Sequence, residues 1–124
     1  MNDKEVRVLL VSDDPLLRDQ ARWAFPADVS VSFAVDSRDA WRQLQHSPPS
    51  VVVVDLQTGN AGGYGLTRDM AEDEVLASVP VVILLEREQD GWLARGSGAT
   101  SYHTKPLATA DLVREVLAAA GRRT

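Results

Sequence analysis

Residues 51–55 read VVVVD, and this run decides the fold class. Four consecutive valines leave no polar face, which is typical of a central parallel strand that helices cover on both sides. Further strand-like runs lie on either side of it along the chain, namely VRVLLV at 6–11, VSVSFAV at 29–35, VVILL at 81–85 and SYH at 101–103. Helical stretches separate these runs. The sequence therefore predicts an α/β fold with a doubly wound, five-stranded parallel sheet.

Capping and stop signals set the expected limits of the helices. Asp14 and Pro15 predict the start of a first helix, which stops at Pro26. A second helix is predicted from a cap at Ser37 to an end at Pro48-Pro49, and a third helix is predicted to start near Leu66. A short fourth helix is predicted over 91–95, and a final helix from a cap at Thr109 to an end at Gly121. Trp23 and Trp41 fall within predicted helices, where we expect them to pack against the core.

The composition bounds the functions that are open to the chain. With 124 residues and no repeat or linker, we expect one domain over residues 1–124. The absence of cysteine excludes a disulfide scaffold and a thiolate metal site. A formal net charge of −5 argues against general nucleic-acid binding, so no nucleic-acid partner is expected. The longest apolar run is too short for a membrane span and the first residues lack a signal-peptide layout, so we expect a cytoplasmic protein without membrane contact.

Charged side chains follow three of the predicted strands. Asp13 and Asp14 follow the first strand, Asp55 ends the valine run, and Lys105 follows the last strand. Because ligands of parallel sheets bind beyond the carboxyl ends of the strands, we expect these groups to converge there. Two carboxylates can hold Mg²⁺, a carboxylate beside it can attack a phosphoryl group, and a lysine can bind a phosphoryl oxygen. Taken singly, each residue also fits a helix cap or a surface turn.

These residues and their surroundings resemble the response-regulator receiver domains of two-component signalling. The matching stretches are VLLVSDDPLLR at the first strand, VVVVDLQ at the third, VPVVILL at the fourth and GATSYHTKPL near the end. The resemblance covers essentially the whole chain and implies the strand order 2-1-3-4-5.

The resemblance also implies a role for particular residues. The family's phospho-acceptor corresponds to Asp55, its phosphoryl-binding lysine to Lys105 and its aromatic switch residue to Tyr102. Asp13, Asp55 and the backbone carbonyl of Gln57 would hold Mg²⁺. The implied partners are a sensor histidine kinase or a phosphotransfer protein and a downstream protein. The implied protein is not an enzyme, beyond its own phosphorylation and dephosphorylation.

The sequence departs from the family pattern at several positions. Ser12 stands where the family carries the first acid of its metal-binding pair, which predicts weak Mg²⁺ binding. Leu85 stands where the family carries a switch Thr or Ser, and leucine has no hydroxyl to bind a phosphoryl oxygen. Gly59 replaces a proline, and the segment 85–105 is shorter than in the family, which predicts a curtailed helix within it.

Three classes of function therefore stay open at this point. The first is a stand-alone receiver without an output domain, phosphorylated on Asp55; its output would pass through a protein partner, because the chain ends soon after the last helix. The second is a pseudo-receiver that binds a partner without phosphorylation, which Ser12 and Leu85 favour. The third is an enzyme or cofactor binder: DLQTG at 55–59 faintly resembles a phosphatase signature but lacks its second aspartate, and Asp13 and Asp14 would repel a flavin phosphate.

Overall fold

A five-stranded parallel sheet forms the centre of the molecule, and the computed structural model describes residues 5–56 and 62–122. The strands are β1 (Val6–Val11), β2 (Val29–Ala34), β3 (Val51–Asp55), β4 (Val81–Leu85) and β5 (Ser101–Thr104). Their order in the sheet is β2-β1-β3-β4-β5. All four pairings are parallel. The predicted fold class and strand order are confirmed.

Within the described residues, five helices connect and cover the strands. They are α1 (Pro15–Ala24), α2 (Ser37–His46), α3 (Gly62–Glu72), α4 (Gly91–Ser97) and α5 (Thr109–Ala119), with 3₁₀ turns at Leu76–Ser78 and Glu88–Asp90. At seven residues α4 is the shortest of the five, as the short 85–105 segment predicted. No helix within 5–56 or 62–122 is long and apolar enough to cross a bilayer.

The sheet separates two apolar cores. One contains Val52, Val54, Ile83 and Leu85 together with residues of α2, α3 and α4. The other contains alternate residues of the same strands and residues of α1 and α5. β3 is buried along its whole length because it lies at the middle of the sheet and contributes side chains to both cores. This two-sided burial accounts for the unbroken valine run.

The ends of the helices confirm some predictions and correct others. The Asp14 side chain caps α1, accepting a hydrogen bond from the Leu16 N–H at 3.0 Å, and Gly121 follows α5 with φ of +86°. The cap of α2 is Asp36 and not Ser37, because the Asp36 carboxylate accepts the Asp39 N–H at 2.8 Å. Thr109 is likewise the first residue of α5 and not its cap.

The start of α3 also differs from the prediction. The helix begins at Gly62, before the predicted start near Leu66. A Cβ added to Gly63 would lie 2.3 Å from the Leu56 side chain, so glycine allows the first turn to approach the sheet closely. Gly62, Gly63 and Gly65 are therefore part of the helix.

The tryptophans divide between core and surface. Trp41 packs against the core as predicted. The prediction for Trp23 is wrong: its side chain is 77% exposed on α1, and only the opposite side of that helix, including Ala21, is buried.

Candidate functional site

The carboxylate of Asp55 lies at the carboxyl end of β3 and is almost completely buried, with 1% of its side chain exposed. Its Oδ1 is 2.5 Å from the ammonium of Lys105. Its Oδ2 accepts a hydrogen bond of 2.7 Å from the hydroxyl of Ser12. A buried ionised carboxylate is costly unless it is paired and hydrogen-bonded, and here both oxygens have a partner.

Ser12 is positioned by the end of β1. Its backbone N–H donates to the carbonyl of Ala34 at 2.9 Å, which continues the pairing of β1 with β2. Its hydroxyl accepts from the Asp14 N–H at 3.0 Å and donates to Asp55. The buried hydroxyl therefore donates one hydrogen bond and accepts another, and it links the start of α1 to the end of β3.

Lys105 is positioned by the end of β5. Its backbone N–H donates to the carbonyl of Leu85 at 2.7 Å, which fixes the residue beside the end of β4. The following peptide bond, to Pro106, is cis. The side chain is 26% exposed and reaches across the sheet edge to Asp55. The predicted convergence of Asp55 and Lys105 at one sheet edge is therefore observed.

Asp13 and Asp55 line the same cleft, which has a volume of about 290 Å³. Asp13 is exposed, whereas Asp55 is buried, so one carboxylate lies at the rim of the cleft and the other at its floor. Gln57, the third predicted metal ligand, lies outside the described residues. Across residues 5–56 and 62–122, no three Asp, Glu or His side chains lie close enough together to hold a metal. Two carboxylates still fit Mg²⁺, which keeps several waters and is commonly held by one or two carboxylates together with phosphate oxygens.

The two predicted switch positions lie on the same side of the sheet. Leu85 is 1% exposed within the apolar core, and Tyr102 packs against that core while staying partly exposed. Tyr102 also contacts α4: its hydroxyl accepts a hydrogen bond from Arg95, whose guanidinium carbon lies 5.4 Å from the ring centroid. A Cβ added to Gly91 would lie 2.6 Å from the ring, so the ring occupies the space that a larger residue would need.

The sequence did not reveal three of these contacts. The sequence pattern indicates only that Ser12 replaces a carboxylate, although a buried hydroxyl beside an aspartate is a natural hydrogen-bond donor. Arg95 and Gly91 carried no signal at all, because their relation to Tyr102 depends on how α4 lies against β5. The positions at the strand ends predicted the convergence of Lys105 and Asp55 but not the residues that contact them.

Residues 8–117 match the family described as the response regulator receiver domain. The chain belongs to this family. It is a receiver domain of a two-component response regulator, as its sequence resemblance predicted.

Individual relatives are consistent with this assignment. The response regulator Rre1 of Synechocystis sp. is 32% identical over 120 residues, which cover 91% of this chain and 52% of Rre1. The virulence transcriptional regulatory protein PhoP of Salmonella typhimurium is 35% identical over 105 residues, which cover 82% of this chain and 46% of PhoP. The chain thus spans about half the length of these two curated relatives.

Solved structures share the fold. The receiver domain of the sensor histidine kinase PA1611 from Pseudomonas aeruginosa superimposes with a TM-score of 0.79 at 23% identity, covering 94% of this chain and 98% of that one. That structure has a magnesium ion coordinated in its active-site cleft.

Proposed function

We propose that this receiver domain accepts a phosphoryl group on Asp55 and that the group leaves the position of Tyr102 nearly unchanged. The observation that carries the first half is the 2.5 Å pair between Asp55 and Lys105 at the carboxyl edge of the sheet. The observations that carry the second half are the buried Leu85 and the contacts of Tyr102 with Arg95 and Gly91.

The residues at the sheet edge suit phosphoryl transfer to a carboxylate. An oxygen of Asp55 forms the bond to phosphorus while the bond between phosphorus and the donor breaks, which leaves an acyl phosphate on the protein. The ammonium of Lys105 is placed to bind an oxygen of the transferred group and to offset its negative charge. The hydrogen bond from Ser12 uses one lone pair of Oδ2 and leaves a second one for the attack on phosphorus. The donor would be the phosphohistidine of a sensor kinase or of a phosphotransfer protein.

Asp13 and Asp55 are the residues that would hold Mg²⁺ here, with the carbonyl of Gln57 as a further candidate. A bound Mg²⁺ neutralises charge on the transferring phosphoryl oxygens. Ser12 supplies a neutral hydroxyl in place of a second negative charge beside Asp55, so we propose that the metal binds weakly.

The wider setting of the domain is also part of the proposal. We propose that this receiver domain performs no catalysis beyond its own phosphorylation and dephosphorylation, and that its output is binding to a protein partner in the cytoplasm. The net charge of −5 supports a protein partner over a nucleic acid.

A phosphorylation-independent binding module is the second candidate, and the Leu85 position favours it. A ligand shifts a two-state equilibrium only through contacts that differ between the states. Leu85 cannot form a hydrogen bond to a phosphoryl oxygen, and Tyr102 already has a partner in Arg95. Under this second function, partner binding would be the same in the wild type and in Asp55→Asn.

Incubation with acetyl phosphate and Mg²⁺ tests the acceptor role, with intact-mass spectrometry as the measurement. We expect the wild type to gain one phosphoryl group, and Asp55→Asn to gain none. The control Asp111→Asn changes an exposed aspartate on α5 and should be labelled like the wild type. Lys105→Gln should still fold, and acetyl phosphate should label it more slowly than the wild type. Equal labelling of wild type and Asp55→Asn would contradict the acceptor role, and so would an unlabelled wild type.

A further inference from the structure

A second groove lies at the opposite end of the strands from Asp55. It has a volume of about 430 Å³ and lies between the first halves of β1 and β2 and the second half of α2. Pockets that take small organic ligands span roughly 300–1,000 Å³. The groove is therefore large enough for such a ligand and remote from the phosphorylation site.

The lining of this groove is basic in a chain that is acidic overall. Arg7, Arg42 and His46 line it, and no Asp or Glu is among its lining residues. The whole chain carries 18 acidic side chains against 13 lysines and arginines. Three basic side chains around one groove thus form a local site for an anion.

The sheet floor of the groove carries hydroxyl groups. Ser30 pairs with Arg7 in the sheet and Ser32 pairs with Leu9, so these residues share one face of the sheet, on which Leu9 packs with residues of α2. Both serines are exposed, whereas Val31 and Phe33 alternate with them and pack into the other core. Small polar residues therefore stand where a covered strand would carry apolar ones, and they leave room and hydrogen-bond donors above the sheet.

The guanidinium of Arg7 is held in place by neutral groups. It donates to the hydroxyl of Ser47 at 2.8 Å and to the carbonyl of Pro48. The ion pairs of the described residues include none for Arg7. A guanidinium has five N–H groups, so donors remain after these two bonds, and no carboxylate within residues 5–56 and 62–122 forms an ion pair with it.

Arg42 is available for a ligand although it has a partner. Its guanidinium is 2.6 Å from Asp39, three residues earlier on α2, but the arginine side chain is 72% exposed. Exposed pairs of this kind contribute little free energy, so a stronger anion can compete for the guanidinium. Arginine binds phosphate through two parallel hydrogen bonds, which a single carboxylate at the surface does not prevent.

We propose that this groove binds a small phosphorylated organic molecule. Arg7 and Arg42 hold the phosphate, His46 and the serine hydroxyls add donors, and the organic part lies against Leu9 and Pro49. The inference is independent of phosphorylation at Asp55, because none of the lining residues belongs to the Asp55 site.

An NMR titration of ¹H–¹⁵N amide signals tests the proposal at low ionic strength and without Mg²⁺. The probes are inorganic phosphate, ribose 5-phosphate and AMP, each added up to millimolar concentration. We expect ribose 5-phosphate or AMP to shift the amides of Ser30, Ser32 and Gln43 and to bind more tightly than inorganic phosphate.

The matched variants are Arg42→Gln and Arg114→Gln. Both remove an exposed arginine that pairs with an aspartate three residues earlier on a helix, at 2.6 Å and 2.7 Å respectively, but Arg114 is on α5, away from the groove. Arg42→Gln should weaken binding by roughly tenfold or more, since a hydrogen bond to a charged group is lost. Arg114→Gln should leave binding unchanged.

Three results would overturn the proposal. The first is that no probe shifts the groove amides. The second is equal weakening by Arg42→Gln and Arg114→Gln, which would indicate unspecific attraction. The third is that inorganic phosphate binds as tightly as both organic phosphates, which would remove the role of the organic part.

Discussion

Ser12 and Asp55 are joined by a hydrogen bond of 2.7 Å at the carboxyl edge of the sheet, and the serine is the donor. With Lys105 on the other oxygen, the buried carboxylate has one cationic and one neutral partner. The buried group is thereby close to electrically neutral. A carboxylate at position 12 would instead add a second negative charge within hydrogen-bond distance of Asp55.

Ser12→Asp should therefore tighten Mg²⁺ binding by at least about tenfold. At an effective dielectric constant near 20, a unit charge ~4 Å from another contributes about 4 kcal/mol, of which desolvation removes a large part. Isothermal titration calorimetry with Mg²⁺ measures the change. Ser12→Ala is the matched control, since it removes the hydroxyl without adding charge, and it should not tighten binding.

Ser12→Asp should also change how strongly Mg²⁺ raises the thermal stability of the protein. Two adjacent carboxylates repel each other in the absence of Mg²⁺, so the thermal midpoint of Ser12→Asp should rise more on Mg²⁺ addition than that of the wild type. Unchanged or weaker Mg²⁺ affinity would show that position 12 does not correspond to the missing acid of the family.

Gly91→Ala should destabilise the protein through Tyr102. The added Cβ would lie 2.6 Å from the ring, so the ring or α4 has to move, and overpacking of this kind costs roughly 1–3 kcal/mol. Gly96→Ala is the control in the same helix: a Cβ there meets nothing within 4 Å, and alanine should stabilise the helix by roughly 0.5–1 kcal/mol. Urea unfolding measures both free energies.

A third variant, Tyr102→Ala, tests whether the cost of Gly91→Ala comes from contact with the Tyr102 ring. In a Tyr102→Ala background the space beside Gly91 is empty, and Gly91→Ala should lose its cost. If Gly91→Ala and Gly96→Ala change stability alike, or if the cost of Gly91→Ala persists without the ring, the packing of Tyr102 on α4 is not what the structure indicates.

Asp39→Asn should lower stability at neutral pH and have no effect in strong acid. The backbone N–H of Val35, followed by Gln43 and Arg42, lowers the pKa of the Asp39 carboxyl in the folded state. A group with a lowered folded-state pKa stabilises the fold above its ordinary pKa, and this contribution is lost as the pH falls through the folded-state value. Because the group is near the surface, the expected loss at neutral pH is under about 1 kcal/mol.

Chemical denaturation of the wild type and Asp39→Asn at several pH values measures this difference. Asp111→Asn is the control, since Asp111 pairs with Arg114 in the same i,i+3 arrangement. Asp39 differs from it by also accepting the backbone N–H of Val35, just after β2. A destabilisation by Asp39→Asn that stays constant down to strong acid would contradict the assigned role of the carboxylate.

The strands and the residues at their ends were predictable because burial on both faces demands a recognisable pattern. In a chain that alternates strands and helices, the valine run of β3 predicts a central strand. A parallel sheet then places Asp55 and Lys105 on one edge. The sequence does not distinguish which residue caps α2, since Asp36 and Ser37 are adjacent and both suit a cap. The early start of α3 depends on Gly63 packing against Leu56, a contact between segments that local sequence does not encode.

The remainder of the site depends on side chains that meet only in the folded molecule. Arg95 lies seven residues before Tyr102, and no spacing rule relates an arginine on α4 to a ring on the neighbouring strand. Trp23 lies in an amphipathic helix, but its side chain is on the exposed face. Both cases require the orientation of a helix relative to the sheet, which hydrophobic periodicity gives only approximately.

An NMR spectrum with Mg²⁺ and beryllofluoride, a phosphoryl mimic, shows whether Asp55 accepts a phosphoryl group without moving Tyr102. We expect shifts for the amides of Ser12 and Asp55, while the ring signals of Tyr102 and the amide of Arg95 stay in place. Ring signals of Tyr102 that move together with the Asp55 amide would contradict the claim, and so would a spectrum in which the Asp55 amide does not respond at all.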